Sequence, residues 1–345
     1  MSRLAVIGLI FCLLGGAPGK PLFAADQGTD AFKYVFKSQA SGHDAANAYL
    51  LMLGSYYCYE NAWSTKGFEA FKENFQQAFT RWGMTKFDFI NLRKHTGDTQ
   101  AVVMSNDHAI IVVFRGSEGS VNFVKGFYDW VLTDFNFFKK KVKDWGPNIK
   151  VHRGFYNAVD IVYSQLKTLI NQHMGSSDKK VWVTGHSLGA GLAPLAALRL
   201  SFDRIPIQGV VFYGGPRVGN KAFVEAYQDR IKNTQRWVDD HDLVTMVPFT
   251  WMNFQHLVQP HNLYGDGKVV LLDREFSALK GKAAAHYPGL YLQRLYSALP
   301  GNLQMQVPPP PAFRLFVGPE DRELDEKYRH NETNPLRRLF SGESD

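Results

Sequence analysis

The chain has 345 residues, 45% of them apolar and 21% charged, and a formal net charge of +7. It is too hydrophobic for a disordered chain and long enough to bury a large core. Its cations are scattered, without an arginine-rich tail or zinc-finger spacing, which speaks against a nucleic-acid binder and leaves anionic surfaces such as lipid head groups as the partner the charge favours.

Residues 1–19 begin with Arg3, run apolar from Leu4 to Leu14 and end in Gly15-Gly16-Ala17-Pro18-Gly19. That is the layout of a secretory signal peptide, with cleavage after Gly19 or Ala25 and a secreted or periplasmic location expected. An uncleaved signal anchor is the alternative. Cys12 lies in this segment, so Cys58 is left alone in the mature chain and no intramolecular disulfide is expected.

Residues 29–60 favour helix, and phenylalanines at 68, 71, 75 and 79 give residues 67–80 one apolar helical face. Phe87–Leu92 and Thr99–Met104 are predicted strands about a turn at 95–98. Ala109–Phe114 is a continuous apolar run suited to a central strand covered on both faces, and it ends in a glycine-serine loop at 115–120. Residues 121–138 are dense in aromatics, including Phe123, Phe127 and Trp130. They read either as a buried helix or as a flap that opens toward an apolar substrate. The Lys139-Lys140-Lys141 run is expected to be a solvated face.

A helix is predicted over 152–172, strands over 181–183, 209–214 and 235–239, a short helix over 221–230, a strand over 269–272 and a helix over 287–299. Strands alternating with helices, each strand almost wholly apolar, predict an α/β fold with a mainly parallel central sheet and helices on both faces. One domain is expected over 26–300, followed by an extended, proline-rich and charged appendage over 301–345.

The chemistry centres on Gly185-His186-Ser187-Leu188-Gly189, placed between an apolar strand and an apolar helix. A serine in this G-x-S-x-G turn takes a strained conformation, and side chains at either glycine would collide with the crossing chain. Ser187 then stands above the sheet edge at a helix N-terminus. Pro194 removes an N–H inside that helix, and Gly191 is placed to absorb a bend. A serine hydroxyl needs a histidine base, itself held by a carboxylate. The acids downstream at a strand end are Asp239, Asp240 and Asp242, and the downstream histidines are His241, His256, His261 and His286. Spacing alone does not choose among them.

Five segments in order resemble the class 3 lipase family, which includes secreted fungal triacylglycerol lipases, feruloyl esterases and related phospholipases. They are Val112–Ser117, Asp129-Trp130 with Asp134, Val151–Phe155, Thr184–Gly189 and Phe212–Asn220. The resemblance covers roughly residues 45–295 and implies an α/β-hydrolase with a lid-like insertion. By position it implies Ser187 as nucleophile, Asp242 as acid, and His286, in His286-Tyr287-Pro288, as base. The backbone N–H groups of Leu188 and Ser117 fall at the oxyanion hole, and Phe123, Phe127 and Trp130 fall in the lid. Two departures stand out: Thr245-Met246 is inserted before the family's proline, and Ala285 replaces the aspartate that usually precedes the histidine.

The implied activity is acyl transfer to water, most simply by a lipase acting on acylglycerols, with no metal or organic cofactor required. A phospholipase or short-chain esterase of the same fold is the nearest alternative. A catalytically silent exported binding or scaffold protein is the more distant one.

Overall fold

In the computed structural model, which describes residues 35–59, 67–94, 97–117, 138–239, 242–264, 268–271 and 284–311, the run Ala109–Phe114 is a strand buried at every position. Residues 1–19, expected to be a signal peptide, the aromatic stretch with Phe123, Phe127 and Trp130, and residues 312–345 lie outside the described residues.

Two helices come first, α1 (Ala45–Tyr57) and α2 (Phe68–Thr80), followed by strands β1 (Lys86–Lys94), β2 (Gly97–Ser105) and β3 (Ala109–Phe114). A small ribbon, β4 (Lys139–Lys141) and β5 (Lys150–His152), leads into α3 (Arg153–Met174). Then alternate β6 (Lys180–His186), α4 (Leu188–Phe202), β7 (Ile207–Tyr213), α5 (Lys221–Arg230) and β8 (Thr234–Asp239). Strands β9 (Pro260–Leu263) and β10 (Val269–Leu271) and helices α6 (Pro288–Ala298) and α7 (Gly301–Gln304) complete the described chain.

Eight of the ten described strands form one sheet in the order β1-β2-β3-β6-β7-β8-β9-β10, and β4 and β5 pair apart from it. Its centre, from β3 to β9, is parallel, while β1-β2-β3 and β9-β10 are antiparallel. A strand's period of two sorts the β3 side chains between two cores. Ile110, Val112 and Phe114 pack with α3, α4 and α5, whereas Ala109, Ile111 and Val113 pack with α1, α2 and α6. A strand with a helical layer on each face has no solvated side, which is why its sequence is apolar throughout.

The phenylalanine face of α2 is confirmed: Phe71, Phe75 and Phe79 are buried, with the Phe75 and Phe79 rings stacked at 4.4 Å. Helix α4 stays one helix through Pro194 and is buried along nearly its whole length. Gly191 has a different use from the one expected. A Cβ there would lie 3.1 Å from the Phe155 ring, so the missing side chain lets α3 approach α4 closely. The lysine run proves to be strand β4, paired with β5. Cys58 is a free, buried thiol. Beyond residue 300 the chain is still packed on the fold: Val307 is buried, and the Tyr49 hydroxyl donates to the Pro308 carbonyl at 2.6 Å.

Candidate active site

Strand β6 ends at His186, helix α4 begins at Leu188, and Ser187 between them sits at φ 61°, ψ −122°. Few residues other than glycine tolerate such a conformation, and neighbouring structure has to hold it. Here the Ser187 N–H donates to the Tyr213 carbonyl at 3.1 Å, and the Ser187 carbonyl accepts from Ala190 and Gly191 of the first helical turn. Both flanking glycines are sterically required. A Cβ on Gly185 would lie 2.4 Å from the Gly189 backbone, and one on Gly189 would lie 2.3 Å from the Phe114 carbonyl oxygen. These contacts bring the end of β3, and with it Arg115-Gly116-Ser117, against the elbow.

The histidine and the acid reach Ser187 from separate loops. His286 closes a short 3-10 turn (Ala284–His286) ahead of α6, and Asp242 caps another (Leu243–Met246) after β8. The Ser187 Oγ lies 2.7 Å from His286 Nε2, and His286 Nδ1 lies 2.7 Å from Asp242 Oδ2. Both Asp242 and His286 are almost fully buried. The other Asp242 oxygen, Oδ1, accepts from the Val244 N–H at 2.9 Å, so the carboxylate is fixed at both ends. Ser187, Asp242 and His286 are thus brought together within hydrogen-bonding distance.

The rival candidates are used elsewhere. Asp239 is buried against the Arg294 guanidinium. His256 Nε2 faces the Thr245 carbonyl at 2.8 Å, and His261 stacks on Trp237. His152 caps α3 by accepting from the Phe155 N–H, and burial with Arg153 nearby pushes its pKa down to about 4. Asp240 and His241 lie outside the described residues.

Two tyrosines at the site were not singled out by the sequence. The Tyr291 hydroxyl donates to Asp242 Oδ2 at 2.6 Å and accepts from the Asp239 N–H at 2.9 Å, so it adds a donor to the acid beside the Val244 N–H. Tyr59 approaches from the end of α1, its hydroxyl 2.8 Å from His186 Nδ1 and 3.4 Å from the His186 carbonyl. Gly116 makes room for it, since a Cβ there would overlap the Tyr59 hydroxyl. Burial raises both phenols above their ordinary range, so both remain neutral donors. The His186 ring stacks on His286 at 4.6 Å, and its pKa is well below the ordinary value because it is buried and the second imidazole lies beside it. An uncharged His186 adds no standing positive charge against the partner of Ser187. In sequence Tyr291 is indistinguishable from the apolar face of α6, and Tyr59 from the aromatic cluster Tyr56–Tyr59.

Chemically the arrangement holds a hydroxyl, an imidazole and a carboxylate in line, with the N-terminus of α4 beneath the hydroxyl. The first-turn N–H of Leu188 has no acceptor inside the helix and is available to a ligand oxygen. Ser117 is exposed at the end of the neighbouring loop.

The family described as "Lipase (class 3)" matches residues 111–252, a span that begins within β3 and includes the elbow and Asp242. Over this segment the chain is similar to class 3 lipases. His286 lies beyond it and is brought to Ser187 by the tertiary structure. Toxin TseL of Vibrio cholerae serotype O1 is 36% identical over 129 residues, covering 37% of this chain and 19% of the toxin. The secreted mono- and diacylglycerol lipase 1 of Fusarium solani is 32% identical over 148 residues, covering 43% of this chain and 41% of that one. The chain thus spans less than half the length of these relatives. The solved mono- and diacylglycerol lipase of Aspergillus oryzae superposes with a TM-score of 0.52 at 24% identity, over 69% of this chain and 89% of its own. The shared fold is the α/β-hydrolase, with its mostly parallel sheet between two helical layers.

Proposed function

We propose that the protein is a serine carboxylic-ester hydrolase, a lipase that acts on acylglycerols through an acyl-enzyme. The observation that carries this reading is the unbroken line Ser187–His286–Asp242, with both steps at 2.7 Å. In this reading His286 Nε2 takes the Ser187 proton as Oγ attacks the ester carbonyl, and Asp242 stabilises the imidazolium. The tetrahedral oxyanion is bound by the backbone N–H groups of Leu188 and Ser117, each such donor contributing about 3 kcal/mol to the transition state. His286 then returns the proton to the departing alcohol. Water enters by the same route, His286 accepts its proton, and the free acid leaves as Ser187 is regenerated.

Phe123, Phe127 and Trp130 are assigned by this reading to an apolar lid over the acyl group. Residues 1–19 support export, to a secreted or periplasmic location. The lipid ester as partner is supported by the family of the matched segment and by the acylglycerol lipase named among its relatives.

The test is hydrolysis of an ester series, from short soluble esters to long-chain glycerides and phospholipids, by the wild type beside Ser187→Ala. Serine-dependent turnover highest on long-chain glycerides is the expected result. A preference for phospholipids or short esters replaces the acylglycerol with that substrate, and two proteins equally inert on every ester overturn the hydrolase reading in favour of a binding role.

A further inference from the structure

The hydrogen bonds to Ser187 and Asp242 hold the His286 ring at two points, Nε2 and Nδ1. Two points fix a line through the ring, and its plane needs a third contact. That contact comes from a buried imidazole to which the acyl-transfer steps give no task. The His186 ring lies against the His286 ring with centres 4.6 Å apart and planes 29° from parallel. Gly214 crowds the edge of the same imidazole, where a Cβ would lie 3.0 Å from both Cε1 and Nδ1 of His286. The elbow requires glycine at 185 and 189, whereas its backbone sterics leave the side chain at 186 free to vary.

The His186 ring is held in turn. The Tyr59 hydroxyl lies 2.8 Å from its Nδ1, and the Tyr59 and Tyr291 rings meet it edge-on at 5.6 Å and 5.2 Å. A Cβ on Gly116 would lie 1.7 Å from the Tyr59 hydroxyl and 2.9 Å from the His186 carbonyl oxygen. That hydroxyl is therefore wedged between the loop leading to Ser117 and the elbow. An apolar ring would fill the space at 186 without the desolvation cost of a buried imidazole. What the imidazole adds is the bond to Tyr59, which fixes the orientation of the ring.

We propose that His186 is the positioning residue of the general base: its ring, oriented by the Tyr59 hydroxyl, backs the face of His286 and keeps the two nitrogens of that base in line with Ser187 and Asp242. The consequence for turnover rests on the hydrolase reading above, while the ring geometry does not. As Ser187 attacks, His286 becomes an imidazolium. A charged neighbour at 4.6 Å would oppose that step, but His186, buried and beside a second imidazole, has its pKa well below the ordinary value and stays uncharged. The phenols against it, Tyr59 and Tyr291, are neutral as well. A flat, uncharged ring thus supports the base in both of its protonation states.

The experiment separates the two properties of His186. Asparagine keeps a polar atom near the Nδ1 position and has no ring, whereas phenylalanine keeps a flat ring and offers Tyr59 no partner. His186→Asn is expected to lower kcat about tenfold with KM unchanged, and His186→Phe to stay within about threefold of the wild type. Tyr59→Phe is expected to lower kcat about threefold, and adding it to His186→Asn to lower kcat no further, because both changes act on one ring. The proton between His286 Nδ1 and Asp242, followed as a far-downfield resonance in proton NMR, reports the same geometry without turnover. It is expected to persist in His186→Phe and to be lost to faster solvent exchange in His186→Asn. A wild-type kcat or an intact resonance in His186→Asn overturns the proposal, and so does a loss of kcat in a folded His186→Phe as large as in His186→Asn. If His186→Phe does not fold, an unchanged kcat and resonance in Tyr59→Phe overturn it instead. A wild type that turns over no ester, with the resonance responding as stated, keeps the positioning role and loses the hydrolase reading.

Discussion

Among the described residues, two Ser–His–Asp constellations lie at opposite ends of the sheet. One is Ser187–His286–Asp242. The other is Ser105–His173–Asp88, in which His173 Nδ1 lies 2.8 Å from the Ser105 Oγ and Nε2 lies 2.8 Å from Asp88 Oδ2. Residue types and distances nearly coincide, yet the two sites differ in what surrounds the hydroxyl. Ser187 sits on a turn at positive φ, between two glycines and at the first turn of a helix. Ser105 is an ordinary residue at the end of an antiparallel strand, fully buried between Met104 and Asn106, and its imidazole presents the opposite nitrogens to serine and acid. Burial of Ser105 and His173, with Asp88 at the surface, makes the second constellation a bracket that ties α3 to β1 and β2. A nucleophile is therefore defined by exposure, backbone geometry and nearby N–H donors, and not by a hydrogen-bonded trio alone.

Substituting the two serines tests that contrast most strongly. Ser187→Ala is expected to lower ester hydrolysis by about 10⁴-fold or more with the fold retained, whereas Ser105→Ala leaves turnover unchanged and costs about 1 kcal/mol in denaturant unfolding. A loss of activity in Ser105→Ala with its melting curve unchanged would break the distinction. Next come the acids. Asp242→Asn is expected to reduce kcat by about 10⁴, because the amide favours the wrong imidazole tautomer, while Asp88→Asn alters stability alone. A smaller change sharpens the first site. Tyr291→Phe removes one donor to Asp242 and is expected to lower kcat about tenfold with KM unchanged, read from steady-state kinetics.

The smallest expected effect is in pH dependence. His173 is held below its ordinary value of 6.5 chiefly by burial, and His152 and His261 are pushed down to about 4. Below pH 6.5 the unfolded chain binds protons that these folded histidines refuse, so their contribution is complete above that pH and declines as pH falls toward 4. Urea midpoints measured across this window are expected to drop with acidification and to drop less in His173→Gln, whose starting stability is lower. An unchanged slope would show that His173 is not buried neutral.

How much of this was legible in the sequence depends on how local the cause is. The apolar run of β3, the phenylalanine face of α2 and the strand-to-helix turn at Ser187 are written in contiguous residues, and the sequence places them within a few positions of where they fall. Strand β9 begins at Pro260 with the polar His261 and Asn262, and only its pairing with β8 makes it a strand. Segment by segment, resemblance also pointed to Asp242 and His286. From the residues alone, however, several acids and histidines stayed open.

By itself, then, the sequence determined the layered α/β plan and the strained serine, because side-chain periodicity and glycine sterics act over a few residues. Tertiary structure decided which groups meet that serine. His286 lies 99 residues from Ser187 and 44 from Asp242, and Tyr291 reaches the same carboxylate from across 49. It also decided that Ser105, His173 and Asp88 form a bracket about a buried serine, since only a packed sheet and helix can say which of two similar hydrogen-bonded trios remains open to a substrate.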